Sequence, residues 1–142
     1  MRSARLFLVL AVSGAIGLAG CGDDGPDGGT GPNGSTAGTL TLNLTSPNAD
    51  DRAIHILIAG SGAADSVGNV QAANASYTIH AKLENGNRAQ AAVFGNLTNG
   101  ALVTFSVPNV NNTSRYTISV VDAADANNAL RNNQGSYTLQ VQ

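Results

Sequence analysis

From Leu40 to the end of the chain, apolar side chains recur at every second position, and this period limits the fold more than any other feature. Leu40, Leu42 and Leu44 alternate with Thr41, Asn43 and Thr45, and Ile54, Ile56 and Ile58 alternate with His55, Leu57 and Ala59. Tyr77, Ile79, Ala81 and Leu83 alternate with Thr78, His80 and Lys82. Val103-Phe105-Val107, Tyr116-Ile118-Val120 and Tyr137-Leu139-Val141 continue the pattern, with Val67 to Ala72 and Ala89 to Phe94 as weaker runs. Successive side chains of a strand point to opposite faces, so each run has one buried face and one wetted face. No window places apolar residues at helical spacing over three turns.

Turn formers separate the runs: Ser46 to Asp51, Gly60-Ser61-Gly62, Glu84 to Asn87, Asn96 to Gly100 and Pro108 to Ser114. Asn85-Gly86 lies between two strand candidates and favours the positive φ of a tight hairpin turn. Asp122 to Asn133 is rich in Asn and reads as a long loop. Seven or eight short strands without βαβ alternation predict an antiparallel sandwich, with a closed barrel as the alternative. The run from Thr39 to Gln142 is long enough for one domain that buries about two-thirds of its unfolded surface.

The N-terminus has a different character. Met1 to Arg5 is short and basic, Leu6 to Ile16 is almost unbroken Leu, Val, Ala, Phe and Ile, and small residues lead into Cys21, the single cysteine. That order is the pattern of a secretory signal peptide. A spanning helix needs roughly 20 mainly apolar residues, and this run is shorter and weakened by Gly14, Gly17 and Gly20. Leu18-Ala19-Gly20-Cys21 resembles the lipobox of bacterial lipoproteins. The resemblance implies cleavage after residue 20 and acyl chains on Cys21. Two or more chains anchor a protein stably where a single one is marginal. The expected location is the cell envelope, lipid-anchored to a bacterial membrane at the outer membrane, its periplasmic face or the cell surface. A lone cysteine leaves the fold without an internal disulfide.

Residues 21–38 contain no large apolar side chain and read as a disordered Gly/Asp/Pro-rich tether. As a Gly-rich coil it spans roughly 20–25 Å. Of the seven basic residues, Arg2 and Arg5 fall in the leader, which leaves five against nine acidic groups and a net charge of −4. No cluster of Lys or Arg exists to neutralise phosphates, so nucleic acid is not an expected partner.

Gly95-Asn96-Leu97-Thr98-Asn99-Gly100-Ala101-Leu102-Val103-Thr104-Phe105-Ser106-Val107 resembles a late stretch of cohesin-type and related Ig-like modules, in which a loop ending in Gly leads into Leu-x-x-x-Phe-x-Val. With the Leu40 and Ile54 strands, the likeness extends in outline over residues 39–121. It implies a sandwich that presents loops or a sheet face to a protein or glycan. The expected fold class is therefore all-β: a single antiparallel Ig-like β-sandwich over 39–142, after a signal peptide over 1–20 and the tether.

Candidate chemistry is sparse. Gly60-Ser61-Gly62-Ala63-Ala64-Asp65 approaches a dinucleotide fingerprint, but Asp65 sets negative charge where pyrophosphate would sit, and no amphipathic helix follows. A hairpin loop explains it better. His55 and His80 are the only histidines; both alternate against the apolar set and are expected at the surface. Zinc usually takes a third protein ligand, and none is evident. Asp122, Asp125, Asn127 and Asn128 offer oxygens for calcium without the spacing of a calcium loop. No G-x-S-x-G elbow exists, and Glu84 is the single glutamate. Trp is lacking, and Tyr77, Tyr116, Tyr137, Phe94 and Phe105 read as core, which leaves no aromatic platform for sugars. The expectation is a non-enzymatic, membrane-anchored lipoprotein displaying a binding or structural module. It needs no cofactor or metal and meets a protein partner; a carbohydrate-binding module or a small exported hydrolase are the alternatives.

Overall fold

The period-two runs become strands. A computed structural model describes residues 34–142; the leader, Cys21 and the tether up to residue 33 lie outside the described residues. In chain order the strands are β1 (Gly38–Thr45), β2 (Asp51–Gly60), β3 (Gly68–Ala72), β4 (Thr78–Glu84), β5 (Arg88–Phe94), β6 (Gly100–Val107), β7 (Tyr116–Asp125) and β8 (Thr138–Val141). They build two four-stranded sheets, ordered β3-β6-β1-β8 and β4-β5-β2-β7. Every ladder is antiparallel. This is an all-β sandwich.

The core lies between the sheets. Leu40, Leu42 and Leu44 of β1 join Ile54, Ile56 and Ile58 of β2, Ala89, Ala91 and Val93 of β5, and Phe105 and Val107 of β6. Phe105 packs edge-on against Tyr116 at a centroid distance of 5.7 Å. Each large side chain removed from water contributes about 1.5–3 kcal/mol, which favours this parity over its mirror.

Two bulges change the expected parity. Leu102 has no partner on β1, which pairs Leu42 with Val103 and Asn43 with Ala101, so Leu102 and Val103 are both buried. In β7, Val121 is skipped between Asp122, opposite His55, and Val120, opposite Ile56. Unbroken alternation from Tyr116 would have turned Asp122 inward. The extra residue returns that carboxylate to solvent and buries Ala123 instead. The strand consequently runs to Asp125, into the stretch expected to be loop.

Only β4 and β5 are joined as a hairpin; every other connection passes from one sheet to the other. The hairpin turn has Asn85 at φ 52° and Gly86 at φ 75°, as the dipeptide predicts. Its loop is three residues, because Glu84 pairs with Arg88. Gly60 to Asp65 is not a hairpin but the crossover from β2 to β3. A Cβ at Gly60 would lie 2.0 Å from the Asp65 carbonyl oxygen, so glycine is required by close approach. The folded region also starts earlier than composition suggests: the Val110 N–H donates to the Thr36 carbonyl at 2.9 Å, and Gly38 pairs with Val107.

Candidate functional site

Three polar groupings stand out, and two of them hold the fold together. Asp51, at the start of β2, is fully buried. Its Oδ2 accepts from Tyr137 OH at 2.8 Å and from Ser46 Oγ, and its Oδ1 accepts from Arg131 Nε at 2.9 Å. Burial pushes this carboxyl up, but the three hydrogen bonds and the Arg131 charge together outweigh it and hold the group below its usual range. Arg131 also reaches Asp50 and lies 3.9 Å from Asp125. Three carboxylates thus converge on a guanidinium, which occupies the place a cation would take.

In the calcium-like stretch, Asp125 is engaged within its own loop. Asp125 Oδ1 accepts the backbone N–H groups of Asn127 and Ala129, at 2.8 and 2.9 Å, which hold its carboxyl low and fold the loop. Asp122 faces His55 on the opposite side of the strand from Ala123. Among the described residues no group of three or more His, Cys, Asp and Glu side chains is arranged to hold a metal. In the second grouping, buried Asp65 pairs with Arg115 Nε at 3.2 Å and ties the β2–β3 crossover to the start of β7.

The third grouping lies on the outer face of the β4-β5-β2-β7 sheet. One transverse row reads His80, Ala92, His55, Asp122 across its four strands. Both histidines are on this outward face, as parity predicts, but β5 separates them and they do not meet. His55 Nε2 is 3.1 Å from Gln90 Oε1, Gln90 Nε2 donates to Glu84 at 3.0 Å, and His55 Nδ1 is 3.9 Å from Asp122. No hydroxyl is hydrogen-bonded to either imidazole among the described residues, so neither ring is placed to activate a nucleophile.

Along this row lies a shallow hollow of about 100 Å³, lined by Ala53, Ala92 and Ala124 together with His55 and Asp122 of the row, with Phe94 and Leu130 on its rim. Phe94 was expected in the core; it is 43% exposed, and His80 meets it edge-on at 6.0 Å. Leu130 is 73% exposed. The sequence carried the signal for Phe94: Ala89, Ala91 and Val93 share one parity, and Phe94 has the other. Alanine contrasts weakly with its polar neighbours, so the large ring dominates the pattern of this strand. Leu130 stands in a polar stretch with no period and gave no signal at all.

The hollow is far smaller than the roughly 300–1,000 Å³ of small-molecule sites. Three larger concavities, of about 540, 460 and 340 Å³, are open and lined by no Asp, Glu, His, Lys or Arg. No protein-family model matches this chain, and no curated protein or solved structure matches it.

Proposed function

We propose that the chain is a membrane-anchored lipoprotein whose sandwich is a non-catalytic display module that contacts a protein partner through the outer face of the β4-β5-β2-β7 sheet. The anchoring half rests on Leu18-Ala19-Gly20-Cys21 after a basic and then apolar start. The display half rests on one observation: Phe94 and Leu130, both exposed, rim a shallow hollow lined by alanines, with His55 and Asp122 beside them, on the outer face of this sheet. Exposed apolar patches rimmed by polar residues are typical of contact sites. Phe94 beside His80 is also the feature a carbohydrate-binding reading would use, but Tyr77, Tyr116 and Tyr137 are all buried and cannot extend it into a sugar platform.

The anchor is tested by fractionating cells that express the chain and its Cys21→Ser variant. The expected result is membrane association of the first and release of the second, with the sandwich folded in both. A variant as membrane-bound as the parent would overturn this reading.

A further inference from the structure

Asn85-Gly86 shapes the β4-β5 turn, and the same pair carries a chemistry of its own. The backbone nitrogen after an asparagine can close on the side-chain carboxamide carbon, and glycine obstructs that approach least because it has no Cβ. Asn99-Gly100, at the entry of β6, is a second such pair. All four residues are exposed. Exposure therefore does not distinguish the two sites.

Tethering does. Asn99 Oδ1 accepts the Ser46 N–H at 2.8 Å, and Gly100 is held in the ladder opposite Leu44. Reaction at Asn99 would have to release Ser46 and draw Gly100 out of β6. At the hairpin, Glu84 accepts from Gln90 at 3.0 Å and Asn87 Nδ2 donates to the Gly60 carbonyl at 3.3 Å, but between them the Asn85 side chain makes no hydrogen bond among the described residues. The Gly86 N–H donates to no group there either, and only its carbonyl is held, by Val67 N–H at 3.0 Å. A Cβ added at Gly86 would meet nothing within 4 Å, so nothing crowds that side of the glycine. The carboxamide and the nitrogen that attacks it are both free to turn toward each other.

We propose that Asn85 is a site of spontaneous deamidation in the folded protein, and that its isoaspartate product loosens the β4-β5 turn from the β2–β3 crossover. The Gly86 nitrogen attacks Asn85 Cγ. The N–Cγ bond forms, the Cγ–Nδ2 bond breaks, and ammonia leaves with the proton from Gly86. Water, the one co-reactant, then opens the cyclic imide. Opening at Cγ gives aspartate with the original backbone; opening at the main-chain carbonyl gives isoaspartate, whose chain runs through Cβ and is one methylene longer. Both products add a carboxylate beside Glu84. The turn is tied to the crossover by two backbone bonds, Val67 N–H to the Gly86 carbonyl at 3.0 Å and Gly60 N–H to the Asn87 carbonyl at 2.8 Å. An extra backbone atom just before Gly86 shifts both acceptors, which aspartate does not.

The full chain, carrying Asn33→Ala so that Asn33-Gly34 does not contribute, is incubated in warm, mildly alkaline buffer and then cleaved with trypsin. Cleavage at Lys82, Arg88 and Arg115 places Asn85 in the peptide 83–88 and Asn99 in 89–115. A sample digested without incubation subtracts what digestion itself causes. Peptide 83–88 should gain about 1 Da at residue 85, as separable aspartate and isoaspartate forms. Asn99 should change at least about tenfold more slowly in the folded chain, a modest difference in barrier, and should keep pace with Asn85 in concentrated urea. Asn85 unchanged, a gain at Asn87 instead, Asn99 keeping pace in the folded chain, or Asn99 still slow in urea would each overturn the site. The deamidated chain should melt below both the parent and Asn85→Asp, and equal melting temperatures would overturn the loosening.

Discussion

The Arg131 guanidinium donates to the Asp51 carboxylate at 2.9 Å although 80 residues separate them in the chain. The pair pins the loop after β7 to the entry of β2. With Ser46 and Tyr137, the latter also accepting from Asn48 at 3.0 Å, it joins both sheets at one end of the sandwich. Removing one partner of a buried pair strands the other, so Asp51→Ala should cost about 3–5 kcal/mol in urea denaturation at pH 7. Arg131→Met should also destabilise. Because Asp51 is held below its ordinary pKa, its contribution is full above the unfolded value of about 3.9 and is lost as pH falls through the lower folded value. The urea midpoint should fall below about pH 4, and the gap between parent and Arg131→Met should narrow there. A gap constant from about pH 7 to about pH 2.5 would refute the charge account.

The β4-β5-β2-β7 sheet predicts opposite outcomes for neighbouring residues. Ile56 is fully buried, and Ile56→Ala should destabilise by about 2–5 kcal/mol. His55, on the other face, should cost within about 0.5 kcal/mol when changed to Ala. Likewise Phe105→Ala should cost about 3–5 kcal/mol, whereas Phe94→Ala should stay within about 1 kcal/mol. Denaturation midpoints of the four variants decide it, and a Phe94 variant as damaged as the Phe105 variant would place that ring in the core.

Two glycines separate steric from torsional need. Gly60→Ala drives its methyl into the Asp65 backbone and should cost about 3 kcal/mol or more, at or above the usual range for overpacking. Gly86 has φ +75°, and a Cβ added there would meet nothing within 4 Å, so Gly86→Ala should cost only about 1–2 kcal/mol of left-handed strain. Equal losses by thermal unfolding would show that the β2–β3 crossover yields where close approach is inferred.

What the sequence by itself determined is local. Leu40 to Leu44 and Ile54 to Ile58 alternate strongly enough that burial of one parity leaves no choice of face, and Asn85-Gly86 takes up its positive φ without help from the rest of the molecule. The outward direction of His55 and His80 follows from the same period. The tertiary structure decided what depends on distant partners. It set which sheet each strand joins, since the connections comprise one hairpin and otherwise only crossings between sheets, and no turn encodes where a crossing lands. It placed the bulges at Leu102 and Val121, where each strand must match the residue count of its neighbour, and thereby kept Asp122 in water. It brought Arg131 to Asp51 and Leu130 beside Phe94, two encounters between segments with no shared period. It also left β4 open, because only the shortness of β3 in the opposite sheet determines whether Leu83 is covered.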